Sequence, residues 1–189
     1  MPRKKGTNSR RLMALAFIGI MAFGSLAYGL TLLMGESYPV PPKDVTIEQI
    51  RYTFDCPGRA IINSAMMLST TPEGFPLEGG EGVQFLAEYR YPRVMVMIAF
   101  MKFDNSTAAR RIGEKIADYA ANFTANYTSW ECDVGGDEGH ARFEYPGLTW
   151  EMWYSGDWVI ELIVGESGGI GRRIADDMKA CIAQLPARA

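Results

Sequence analysis

LTWEMWYSGDWVIELIV, residues 148–164, runs as two alternating segments that meet at Ser155-Gly156-Asp157. Period-two alternation on either side of a glycine turn is the pattern of a β-hairpin. A three-residue turn puts Trp150, Met152 and Tyr154 on one face with Trp158, Ile160 and Leu162, and sets Glu151 opposite Glu161. A two-residue turn mixes Met152 with Glu161 instead. The three-residue register is the expected one, its cost being an unfavourable pair of like charges.

Around the hairpin, strands alternate with helices. Upstream, Ala60–Ser69, Val83–Tyr91 and Arg93–Phe103 read as strands, the last apolar on both faces over Val94–Met101, as a strand covered on both sides would be. Thr107–Tyr127 repeats apolar residues at three- and four-residue spacing (Ile112, Ile116, Tyr119, Ala120, Phe123, Tyr127), with Asp104, Asn105 and Ser106 as candidate N-caps. Trp130–Val134 and His140–Tyr145 supply two further strands. Ile170–Leu185 forms a closing helix, with Ile174, Met178, Cys181, Ile182 and Leu185 on one stripe and Pro186 as its stop. A short helix before Cys56-Pro57-Gly58 opens the series, Thr46 and Gln49 having capping-box spacing. The expected fold class is α+β: a mainly antiparallel sheet with two long helices packed on one face.

Ahead of this domain lies Leu12–Met34, without one charged side chain and preceded by Arg3, Lys4, Lys5, Arg10 and Arg11. As a helix the run would reach roughly 34 Å, enough for a hydrocarbon core of about 30 Å. Lys and Arg beside a span stay in the cytoplasm. The expected order is therefore a basic cytoplasmic tail (1–11), a single-pass transmembrane helix (12–34), a Pro-rich stalk (35–44) and an extracytoplasmic domain (45–189), with membrane lipid a partner through 12–34. Cleavage after Ser25-Leu26-Ala27 is the competing reading, and Ser9-Arg10-Arg11 resembles the start of a twin-arginine signal. For the stalk, GESYPVPPKD, the competing reading is an ordered segment lying along the domain.

Charge narrows the partners. The chain carries 19 basic and 22 acidic residues, and five of the basic ones precede the apolar run, leaving residues 36–189 with 14 against 22, or −8. An acidic ectodomain lacks the positive footprint of a nucleic-acid binder. Another protein is the expected partner.

Chemistry-bearing motifs are few. His140 is the sole histidine, no C-x-x-C or phosphate-cradling glycine motif occurs, and no serine sits in a G-x-S-x-G elbow. Glu131, Asp133, Asp137 and Glu138 form an acidic loop without EF-hand spacing, better read as solvated than as a Ca²⁺ site. No catalytic, cofactor or metal residues are assigned, and no enzyme is expected. An exported domain meets oxidising conditions, so one disulfide is expected among Cys56, Cys132 and Cys181, with Cys56–Cys181 favoured because it ties the start of the domain to its last helix. Asn105, Asn122 and Asn126 each begin a glycosylation sequon, which would make the chain a glycoprotein in a glycosylating host. Trp153, on the other face of the hairpin, is the candidate surface for a partner or ligand if that face is open, core packing being the favoured use of the tryptophans. The expected role is a membrane-anchored, non-enzymatic accessory or protein-interaction subunit. The alternative is a ligand-binding or sensing module built on the aromatic hairpin, which a concave apolar pocket beside Trp153 would favour, a flat exposed apolar patch favouring the first.

Overall fold

The computed structural model describes residues 38–122 and 127–185. The expected tail, transmembrane helix and first residues of the stalk lie outside the described residues, as do Asn126 and Pro186. Among the described residues no helix is long and apolar enough to cross a membrane.

Tyr38 begins a unit built on one antiparallel sheet. In chain order the elements are α1 (Ile47–Thr53), β1 (Ala60–Leu68), β2 (Gly80–Tyr89), β3 (Val94–Phe103), α2 (Ser106–Ala121), β4 (Ser129–Asp133), β5 (Glu138–Tyr145), β6 (Leu148–Ser155), β7 (Trp158–Val164) and α3 (Gly168–Ile182). The sheet order is β1-β2-β3-β7-β6-β5-β4, with every neighbouring pair antiparallel. This is the expected α+β class. Thr46 and Gln49 form the capping box of α1, and Asn105 caps α2 by accepting from the Ala108 N–H at 2.9 Å.

Two expectations are corrected. The hairpin closes through a two-residue turn, Ser155 facing Trp158 and Met152 facing Glu161. Gly156, at φ +59°, supplies the positive φ that the first central position of a type II′ turn requires. Trp150, Met152 and Tyr154 therefore share a face with Val159, Glu161 and Ile163, while Thr149, Glu151 and Trp153 share the other with Ile160, Leu162 and Val164. Helices also cover both faces rather than one. Residues of α1 and α3 pack with Phe85, Ile98, Trp153 and Ile160, whereas α2 packs on the opposite face with Met101, Met152 and Tyr154. Both corrections have one cause. When a sheet is covered on both sides its strands are apolar on both sides, and alternation no longer reports register.

The described part of the Pro-rich segment lies along the domain, as the second reading of it had it. Pro41 is buried, Tyr38 and Val40 pack on the α1/α3 face, and the Trp153 indole donates to the Pro39 carbonyl at 2.9 Å. Lys102 Nζ donates to the carbonyls of Lys43 and Val45, both at 2.6 Å. A disulfide joins Cys56 to Cys181, Cα atoms 5.4 Å apart, and ties α3 to the chain between α1 and β1, while Cys132 is a free thiol on β4.

Candidate functional site

On the α2 face, helix and sheet part company at one end. Gly113 brings α2 down onto the hairpin, since a Cβ there would stand 2.3 Å from Cδ1 of Tyr154. Toward its C-terminus the helix ends at Ala121, and Tyr127 returns with its hydroxyl donating to the Ala120 carbonyl. The strands run on beyond this point, which leaves a cavity of about 730 Å³. Binding sites for small molecules span about 300–1,000 Å³.

Its sheet side is a ladder of side chains at successive cross-strand positions: Phe143 on β5 faces Trp150 on β6, which faces Ile163 on β7. Phe143 also faces Trp130 on β4. The rings stack, with centroids 4.9 Å apart for Phe143 and Trp150 and 4.4 Å for Tyr127 and Phe143. Tyr119, Ala120, Tyr145, Leu148 and Met97 complete the apolar lining, with Pro72, Glu73 and Gln84 beside them. Phe75 holds that loop to the helix through an edge contact with Tyr119 at 5.7 Å.

At the floor lies Glu161. Its side chain is wholly buried, and Oε1 accepts from the Trp150 indole N–H at 2.6 Å. Burial pushes this carboxyl well above the usual carboxylate range; the charge of Glu73 and a hydrogen bond between the two carboxyl groups push it the same way, against the Trp150 bond. Oε2 of Glu73 and Oε2 of Glu161 are both buried with no N–H or hydroxyl partner. Among the described residues no Lys, Arg or His lines the cavity.

The open end continues onto the uncovered part of the same sheet face. Leu86 and Met95 lie there with Met66, each at least 40% exposed, and Leu86 stands opposite Met97 of the cavity wall.

The residues singled out from the sequence lie elsewhere. Trp153 is fully buried under Tyr38 and Pro39 and offers no open surface. Asn105 is exposed but spends its carbonyl oxygen on the α2 cap; Asn122 is exposed and donates to the Asp118 carbonyl at 2.9 Å. His140 stacks on Tyr38 at 4.4 Å and approaches Glu131 at 3.4 Å. Among the described residues no three His, Cys, Asp or Glu side chains gather as metal ligands do. Sequence reasoning missed Glu73, Glu161 and the ring ladder. The available signal was Glu161, an acid inside the otherwise apolar run VIELIV.

No protein-family model matches the chain, and no curated protein matches it. Among solved structures it is similar to the extracellular domain of PknH from Mycobacterium tuberculosis, with a TM-score of 0.43 and 12% identity over 66% of this chain and 83% of that one. A likeness of that size establishes neither shared ancestry nor shared function.

Proposed function

We propose that the chain is a membrane-anchored extracytoplasmic domain that binds an apolar small molecule in the cavity above Glu161 and performs no chemistry on it. One observation carries the reading: a cavity of about 730 Å³ walled by stacked rings, with buried polar atoms converging at its floor. An extracytoplasmic place is supported by the Cys56–Cys181 disulfide, which persists in oxidising compartments, and by the basic residues that precede the apolar run 12–34. The binding module anticipated on the hairpin thus moves to the face opposite Trp153. Excess negative charge on residues 36–189 argues against nucleic acid as a partner.

Calorimetric titration of the full chain in lipid nanodiscs with 2-(1-naphthyl)ethanol, blanked against empty nanodiscs, tests the cavity. Saturable binding is expected, and Ala120→Trp, which places an indole in the cavity, should abolish it with the thermal midpoint retained. No saturable heat from the native chain overturns the reading. Protease added to intact cells should degrade the domain; protection until lysis overturns its placement.

The accessory-subunit reading also has an observation in its favour, the exposed strip of Met66, Leu86 and Met95. Charged substitutions there should leave naphthylethanol binding intact; if they abolish it while Ala120→Trp does not, the strip rather than the cavity is the contact surface.

A further inference from the structure

Resting on the cavity reading, we infer that its ligand is an organic cation, a primary ammonium group on an apolar body, seated with the nitrogen at the Glu73–Glu161 pair. Three features converge on this class. The first is charge. Two carboxyls meet at the floor, and among the described residues no cationic side chain lines the cavity to balance them. Buried charge is tolerated where it is paired, and the missing partner defines what an occupant supplies.

The second is hydrogen-bonding capacity. Glu161 Oε1 is taken by the Trp150 indole, whereas Oε2 of Glu161 and Oε2 of Glu73 are buried without a protein donor. A ligand that brings N–H groups satisfies them; a carboxylate or phosphate, being an acceptor, repels them. An alcohol, with its single O–H, meets one of the two.

The third is the ring ladder. Trp150, Phe143 and Tyr127 stand in one stack beside the carboxyls, with Tyr119 and Tyr145 also lining the cavity. Aromatic faces attract organic cations through the ring quadrupole, more strongly where water is excluded. The rest of the ligand lies along Leu148, Ile163 and Met97 toward the open strip, where an apolar chain or ring replaces water at no polar cost.

A naphthyl series that varies only the end group tests this on the full chain in nanodiscs: 2-(1-naphthyl)ethylamine, 2-(1-naphthyl)ethanol and 1-naphthylacetate. In an apolar cavity lacking a counter-charge the ammonium would bind worst, because it pays desolvation without return. Here the amine is expected to bind about tenfold or more tightly than the alcohol, and the acetate more weakly than either. Glu73→Gln together with Glu161→Gln should bring the ratio of amine to alcohol affinity to about one, since either change alone leaves a carboxyl to face the ammonium. That ratio is read within each variant, and a thermal midpoint confirms that the variant is folded. Equal affinities for all three compounds, preference for the acetate, or an amine preference that survives both substitutions overturns the cation inference while leaving the cavity reading standing. Failure of all three to bind the native chain is the failure of the cavity reading itself.

Discussion

Glu151 and Glu161 sit on neighbouring strands, both at most 1% exposed, and meet opposite fates on the two faces of the sheet. On the α1/α3 face, Glu151 lies between cations: Lys179 Nζ stands 3.0 Å from its Oε2 and Arg142 Nε 3.3 Å from its Oε1. Burial would push Lys179 down, but Glu151 and Asp176 beside it hold it above the ordinary lysine value. Glu144 extends the network, held below the usual carboxylate range by the hydrogen bond from Arg172 at 2.5 Å. On the α2 face Glu161 meets an indole, another carboxyl and a cavity. A buried acid with its counter-ions supplied by the fold is structural; one that meets no cation among the described residues is pushed above the carboxylate range instead.

The sharpest way to break the comparison is to remove a cation from the first site. Lys179→Met leaves Glu151 buried beside an apolar group and should cost about 3–5 kcal/mol in a denaturant titration. Glu161→Gln removes no counter-ion and should leave stability at neutral pH unchanged or raised. If the two substitutions cost the same, the faces do not differ as argued.

Next in size is the closure of the α1/α3 face. Replacing Cys56 and Cys181 together by serine should cost about 2–5 kcal/mol. The expected ligand series at the cavity keeps its order in the folded fraction, because no cavity residue belongs to that face's core.

Overpacking sharpens the comparison from the α2 side. Gly113→Ala puts a methyl 2.3 Å from a ring carbon of Tyr154, so α2 must lift. About 1–3 kcal/mol of stability should be lost, and naphthylethanol affinity should change with it because α2 walls the cavity.

The smallest effect is the pH slope. A carboxyl whose folded pKa is raised binds more protons in the folded state, so its contribution is fully present below the ordinary carboxylate pKa and is lost as pH rises through the raised value. Stability should decline over that window in the native chain and decline less in Glu161→Gln. Glu73 and the phenols of Tyr119, Tyr127 and Tyr145 are the other titratable groups lining the cavity. Glu144 has the opposite sign: its stabilisation is present above the ordinary carboxylate pKa and is lost as pH falls through its lowered value, so Glu144→Gln should blunt acid unfolding. Matching slopes in the native chain and the two variants would show that neither carboxyl reports its surroundings.

Element identity was legible from local pattern. The capping box at Thr46, the repeat along α2 and the alternation of β6 and β7 each depend on residues close in sequence, and the α+β class follows from their order. Even the Cys56–Cys181 pairing was within reach, because an oxidising compartment favours a bridge and this one ties the start of the domain to its closing helix. What local pattern could not supply was the sidedness. A strand apolar on both faces reads alike in either register, and one residue of slip exchanges Glu151 with Glu161's face entirely. Whether Trp153 is open or packed was not legible, because nothing nearby in sequence covers it; Tyr38 and Pro39, far away in the chain, do. The cavity is likewise a property of packing. It depends on α2 ending at Ala121 and on the loop carrying Glu73 coming to line it, placements that only the folded chain brings together. Sequence determined which segments become helix and strand and that the domain is acidic; tertiary structure alone decided which buried glutamate is paired and which is left facing an open cavity, since pairing depends on contacts between residues that no local periodicity connects.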